Sequence, residues 1–179
     1  MSPNFRNSPI RRFFSGIAEW AFASRLGIAD PPLVEYITEL LTRFVHIDAI
    51  YRLRDLAGRP LIEVAEMLSD AEQQIGSARR EVHRQIGDVT LFWTGVYPES
   101  LKRLRGQLRK DHLIDYREQG KRSYHIASTY REGQFAEQSA VLERISRQFE
   151  LCARGLSEAR REWERRDTTG DAPPPLLVE

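Results

Sequence analysis

Apolar side chains recur at helical spacing in four stretches of the chain. The first covers about residues 12–26, where Phe13, Ile17, Trp20 and Ala21 share a face and Gly27 supplies a stop. The second runs over 31–57. It opens at Asp30-Pro31, a capping residue followed by proline at the first helical position, and carries Leu33, Ile37, Leu40, Phe44, Ile47 and Tyr51 before Gly58. Val34, Leu41 and Val45 widen its stripe, which marks a core-facing helix. The third, 60–96, keeps a seven-residue repeat through Leu61, Val64, Leu68, Ala71, Ile75, Ala78, Val82, Gln85, Val89, Phe92 and Val96, from which only Gln85 departs. Gly76 and Gly87 each cost about 1 kcal/mol inside a helix, so a bend or break is expected at one of them. The fourth, 135–166, repeats the pattern with Leu142, Ile145, Phe149, Cys152, Leu156, Ala159 and Trp163.

These elements predict a mostly α fold, an up-and-down helical bundle of about four long helices. A chain of 179 residues suits a single domain, here 12–166, with a flexible N-terminus over 1–11 and a disordered Pro-rich tail over 167–179. The positions flanking the last stripe (Ser146, Ala153, Arg160; Gln148, Gly155, Glu162) are largely uncharged, which argues for packing inside a bundle over an extended coiled coil. A homodimer through one helix face stays open.

Between Tyr97-Pro98 and Phe135 the helical pattern weakens, and a short basic insertion at 99–130 is expected. Leu101, Leu104 and Leu108 suggest a short helix with a basic exposed face. Beyond it, Ile114 and Tyr116, then Tyr124 and Ile126, alternate with polar residues around Gln119-Gly120, which is a hairpin signal. The same letters allow a helix to Gly120 and another from about Arg122. The stretch SLKRLRGQLRKDHLIDYREQGKRSYHIAS, residues 100–128, resembles the recognition-helix end and wing of winged-helix transcription repressors. In that family a leucine-spaced basic helix leads into a Leu-Ile strand, a Gly-Lys/Arg wing tip and a Tyr-bearing return strand. The resemblance covers 29 residues, and the preceding GDVTLFWTGVYPE departs from a helix-turn-helix unit, with Pro98 where that unit should be continuous.

Charge singles out the same stretch. The chain is close to neutral, with 27 Lys+Arg against 26 Asp+Glu, yet residues 101–125 hold eight basic and three acidic side chains. The candidate contacts to phosphates or to an acidic partner are Lys102, Arg103, Arg105, Arg109, Lys110, Lys121, Arg122 and Tyr124, the last for stacking or packing.

Other chemistry is thin. A single cysteine excludes an intramolecular disulfide framework, and Cys152 falls in the apolar register, as a small buried hydrophobe does. No apolar run approaches the ~20 residues of a membrane span. The N-terminal stretch is broken by Glu19 and Arg25, unlike a secretory signal. Its aromatic and basic residues could rest on an anionic membrane surface or pack on the bundle. The residue three before each histidine is an arginine (Arg43, Arg80, Arg109, Arg122), where a di-iron bundle requires glutamate. His46 and His83 fall off the apolar stripes, on the side expected to be solvated. No Gly-x-Ser-x-Gly elbow is present, and Gly120-Lys121 lacks the rest of a phosphate loop.

No catalytic, cofactor-binding or metal-ligating residues are therefore named. The expected function is that of a non-catalytic intracellular, cytoplasmic interaction or scaffold protein, using the basic insertion and a helix face to contact a protein partner or itself. The alternatives are a nucleic-acid-binding regulator with a degenerate winged-helix element at 100–128, and an enzyme whose site forms only in the fold.

Overall fold

The structure, a computed structural model, describes residues 8–107 and 110–169. It is mostly helical, with nine α-helices and no β-strand among the described residues; Arg54 and Pro60 form an isolated antiparallel bridge. No helix there is long and apolar enough to cross a membrane. The chain divides into two compact units, Met1–Ile50 with Arg154–Glu179, and Tyr51–Ala153.

In the first unit, α1 (Pro9–Glu19) starts at Ser8, whose hydroxyl accepts from the Arg11 N–H at 3.3 Å, with proline at the first helical position. It continues into a π-helical stretch, Trp20–Arg25, and stops at Gly27, as the apolar pattern predicts. Asp30 caps α2 (Pro31–Phe44) by accepting from the Leu33 N–H at 3.2 Å. The stripe of α2 is fully sequestered at Leu33, Ile37, Leu40 and Phe44, against Phe14 and Ile17 of α1 in the same core. Of the face expected for the first helix, Ile17 and Ala21 are buried, but Phe13 and Trp20 are only half-buried and Phe14 takes the interior position. Trp163, on α9 (Phe149–Asp167), meets Phe14 edge-on with ring centroids 5.2 Å apart. The second predicted helix is shorter than its stripe: α2 ends at Phe44, and the single turn of α3 (Ile47–Ile50) follows.

The second unit is organised around one helix. The long seven-residue repeat is divided into α4 (Val64–Gln73) and α5 (Gly76–Gly95) by the extended residues Gln74 and Ile75. The break falls where Gly76 adopts φ +58°, a conformation that a side chain resists. Residues 85–93 of α5 are buried on every face, so Gln85, Asp88 and Thr90 lie in the interior beside Val89 and Phe92. Gln85, the one departure from the repeat, accepts from Arg52 Nε at 2.8 Å. Then come α6 (Pro98–Gln107), a 3₁₀ turn (Lys110–Leu113), α7 (Tyr116–Ser128) and α8 (Ala136–Arg147). α7 packs along α5 on one side and on α8 on the other.

Both helices of the α5–α7 crossing bring a glycine to it. A Cβ on Gly87 would lie 2.7 Å from the Tyr124 ring, and one on Gly120 would lie 2.5 Å from Thr90 Oγ1. This overturns the hairpin and wing alternatives for 112–127. Gly120 is an interior helical residue, and no turn forms there. Tyr116, Gly120, Ser123, Tyr124, Ala127 and Ser128 are the buried face, spaced 4, 3, 1, 3 and 1, as one side of a helix requires. A helix ending at Gly120 and a second from about Arg122 is corrected in the same way, since α7 runs through both.

Candidate functional site around the basic helices

The charged stretch singled out by composition spans α6, the 3₁₀ turn and the first half of α7. Lys102 and Arg103 project from α6 as exposed side chains. Arg105 belongs to α6, but its side chain, like the whole of Arg109, lies outside the described residues. α7 begins at Asp115, whose carboxylate accepts from the Arg117 and Glu118 N–H groups at 2.9 and 3.3 Å.

Two of the predicted contacts are engaged internally. Lys110 Nζ lies 2.8 Å from Glu66 Oε1, and its backbone N–H donates to Glu63. That hydrogen bond holds the Glu66 carboxyl below its ordinary pKa and raises the Lys110 ammonium. Lys121 is clamped between Glu118, at 3.1 Å, and Glu150, which together raise its pKa. Exposed pairs such as these add little to stability, but they lower the field available to an external anion. Arg122 is exposed and, like Lys102 and Arg103, pairs with no carboxylate among the described residues.

Tyr124 is a correction. Expected to stack on or pack against a partner, it is fully buried and donates its hydroxyl to Asp88 Oδ1 at 2.8 Å. Tyr116 is buried too, its hydroxyl 2.6 Å from Asp111 Oδ2. Lys102 and Arg103 on α6 and Arg122 on α7 are thus the cations of the stretch that pair with no described carboxylate, and Leu113, on the turn between the two helices, is 90% exposed.

Sequence reasoning missed the buried polar groups of this unit. His83, expected on a solvated face, is 4% exposed. It stands at the end of a short chain in which Gln119 Nε2 donates to Ser123 Oγ at 3.0 Å and that hydroxyl lies 3.5 Å from His83 Nδ1. Burial, followed by the nearby Arg79 and Arg122 guanidiniums, pushes the imidazole pKa down to about 4. His83 is therefore neutral at pH 7. Ser123 has no exposed surface, so the pair is not an accessible nucleophile and base. No cluster of three or more metal-ligating side chains occurs among the described residues. His46 is exposed, as expected.

The low pKa of His83 dictates a pH dependence. In the unfolded chain the imidazole takes up a proton near pH 6.5, and in the folded chain only near pH 4. Between those values the unfolded state binds more protons, so stability falls as pH falls through the window. Urea unfolding at pH 7 and pH 4.5 should show wild type losing on the order of 2 kcal/mol more than His83→Gln over that interval. Equal losses in the two chains would mean that His83 is freely protonated in the folded state.

Comparison with protein-family models, with curated proteins and with solved structures finds no match to this chain.

Proposed function

We propose that this chain is a non-catalytic helical interaction protein whose contact surface is built on α6, the 3₁₀ turn and the exposed side of α7. The observation that carries the reading is the exposure, within one stretch of chain, of Leu113 and of three cations, Lys102, Arg103 and Arg122, that pair with no described carboxylate. An exposed leucine between two cation-bearing helices suits an acidic, partly apolar protein surface. Phosphate backbones gain nothing from the leucine, and the two tyrosines that would have stacked on bases are turned into the core. The nucleic-acid regulator remains the second reading because the same three cations could neutralise phosphates.

Fluorescence anisotropy separates the two. One probe is a labelled acidic peptide with interspersed leucines; the other is a labelled random duplex. The peptide should bind at low salt, lose affinity when Lys102, Arg103 and Arg122 are all replaced by Glu, and weaken about tenfold on Leu113→Ser. Three engaged phosphates would instead give the duplex a salt slope near −2.7, about 40-fold between 50 and 200 mM, with no effect of Leu113→Ser. That result would install the nucleic-acid reading, and binding of neither probe would overturn both.

A further inference from the structure

The second unit holds a cavity of about 220 Å³ where α4, α5 and α7 meet. Its apolar lining comes from Ala71, which is buried, and from Leu68 and Ile126, which are half-buried, with buried His83 beside them. The mouth carries Arg79 from α5, Arg122 and Gln119 from α7, and Glu72 from α4. Two guanidiniums thus converge from different helices on one pocket that contains a single carboxylate. Neither arginine is within ion-pair distance of Glu72 or of any other described carboxylate. Like charges gathered without a partner cost free energy, and an anion between them removes that cost. The neutral imidazole and the Gln119 side chain add uncharged hydrogen-bonding groups to the same wall.

We propose that this cavity is an anion site for a phosphate group, free or esterified, gripped by Arg79 and Arg122 with His83 behind it. Guanidiniums bind tetrahedral oxyanions through paired N–H donors, and two of them match a dianion better than a monocarboxylate. Glu72 opposes the anion at the rim, so Glu72→Gln should tighten binding. The site is independent of the partner surface proposed above in Arg79, Gln119 and His83, and shares only Arg122 with it.

The test is NMR of the full chain, following the His83 ring protons through a titration with inorganic phosphate and, separately, with phosphoserine. Acetate is the monocarboxylate control. A bound phosphate anion stabilises the imidazolium, as monoanion or dianion, so the His83 pKa should rise from about 4 toward its ordinary value as phosphate saturates. Arg79→Gln and Arg122→Gln should each weaken binding about tenfold. Both are exposed positions, so the Tm of each variant should stay at the wild-type value. Tighter binding of phosphoserine than of phosphate would identify an esterified phosphate as the ligand; equal binding would identify the free ion. His83 resonances and pKa unmoved at about 10 mM of either probe, well above the millimolar affinity expected of such a site, would overturn the proposal. A shift that survives the Arg79→Gln/Arg122→Gln double variant would overturn it as well.

Discussion

Gly120→Val should lower the stability of the chain by about 3 kcal/mol or more, a drop in Tm of roughly 6–12 °C if the chain melts in one transition. The reason is local geometry. A single Cβ at residue 120 would stand 2.5 Å from Thr90 Oγ1 and 2.7 Å from Phe149 Cζ, and valine adds two more methyl groups at the same place. Neither neighbour can retreat cheaply. The Thr90 hydroxyl is buried and donates to the Ile86 and Gly87 carbonyls of its own helix at 2.8 and 3.0 Å. Phe149 is fully buried, 6.4 Å from the Tyr124 ring. The control is Gly106, an exposed helical glycine of α6 with no atom within 4 Å of its missing Cβ. Gly106→Ala should stabilise by about 0.5–1 kcal/mol, because alanine loses less backbone entropy on entering a helix. Thermal melts of the two variants check both signs. Had Gly120 sat at the tip of a solvent-exposed wing, valine there would shift the Tm by only a few degrees, and such a result would remove the close α5–α7 crossing.

That contrast marks where the sequence was legible. Helix faces were, because a core-facing stripe repeats at 3.6 residues whatever the helix packs against. Leu33, Ile37, Leu40 and Phe44 were read as one face and form one. The ends were legible where a cap or stop is local, at Asp30 and at Gly27. The break at Gln74-Ile75 was hidden because the seven-residue repeat runs straight through it, with only Gly76 as a signal. In 112–127 the letters left a period of two and a helical period both open, since Ile114, Tyr116, Tyr124 and Ile126 alternate while Tyr116, Gly120 and Tyr124 fall on one side of a helix, and the structure takes the helix. Asp115 followed by Glu118 was the overlooked mark of a helix start, and Asp115 is indeed the cap of α7. The candidate site was less legible. Whether a cation is free or spent depends on carboxylates far along the chain, as Glu66 is from Lys110, and no spacing rule reports that. The burial of His83, Asp88 and Asp111 has the same origin.

Asp111 carries the other large expectation. One of the three acidic residues within 101–125, it is fully buried and closes the start of α4 from 47 residues away. Its two carboxylate oxygens accept from the Val64 and Ala65 N–H groups, each at 2.9 Å, and Oδ2 also accepts from the Tyr116 hydroxyl. These are N–H groups that the first turn of a helix cannot satisfy from within. Glu63 and Glu66 close the rest, Glu66 accepting from the Ile62 and Glu63 N–H groups at 3.3 and 3.4 Å. Asp111→Ala strips three donors of their acceptor, two of them in buried bonds and the Ala65 N–H in a part-buried one. Charged caps are worth about 1.5–3 kcal/mol per bond made and buried donors left bare cost a similar amount, so a total loss of about 3–4 kcal/mol is expected. Tyr116→Phe removes one donor and leaves the carboxylate with two, so it should cost only about 1 kcal/mol. Asp111→Asn keeps the shape and one acceptor oxygen and should fall between them. Urea unfolding ranks the three variants, and native-state hydrogen exchange locates the effect. In Asp111→Ala the Val64 and Ala65 amides should exchange faster ahead of global unfolding, while those of α5 keep pace with the global reaction. If Asp111→Ala cost no more than Tyr116→Phe, the helix start would be held by Glu63 and Glu66 alone, and the tie between α4 and the 3₁₀ turn at Lys110–Leu113 would carry no stability.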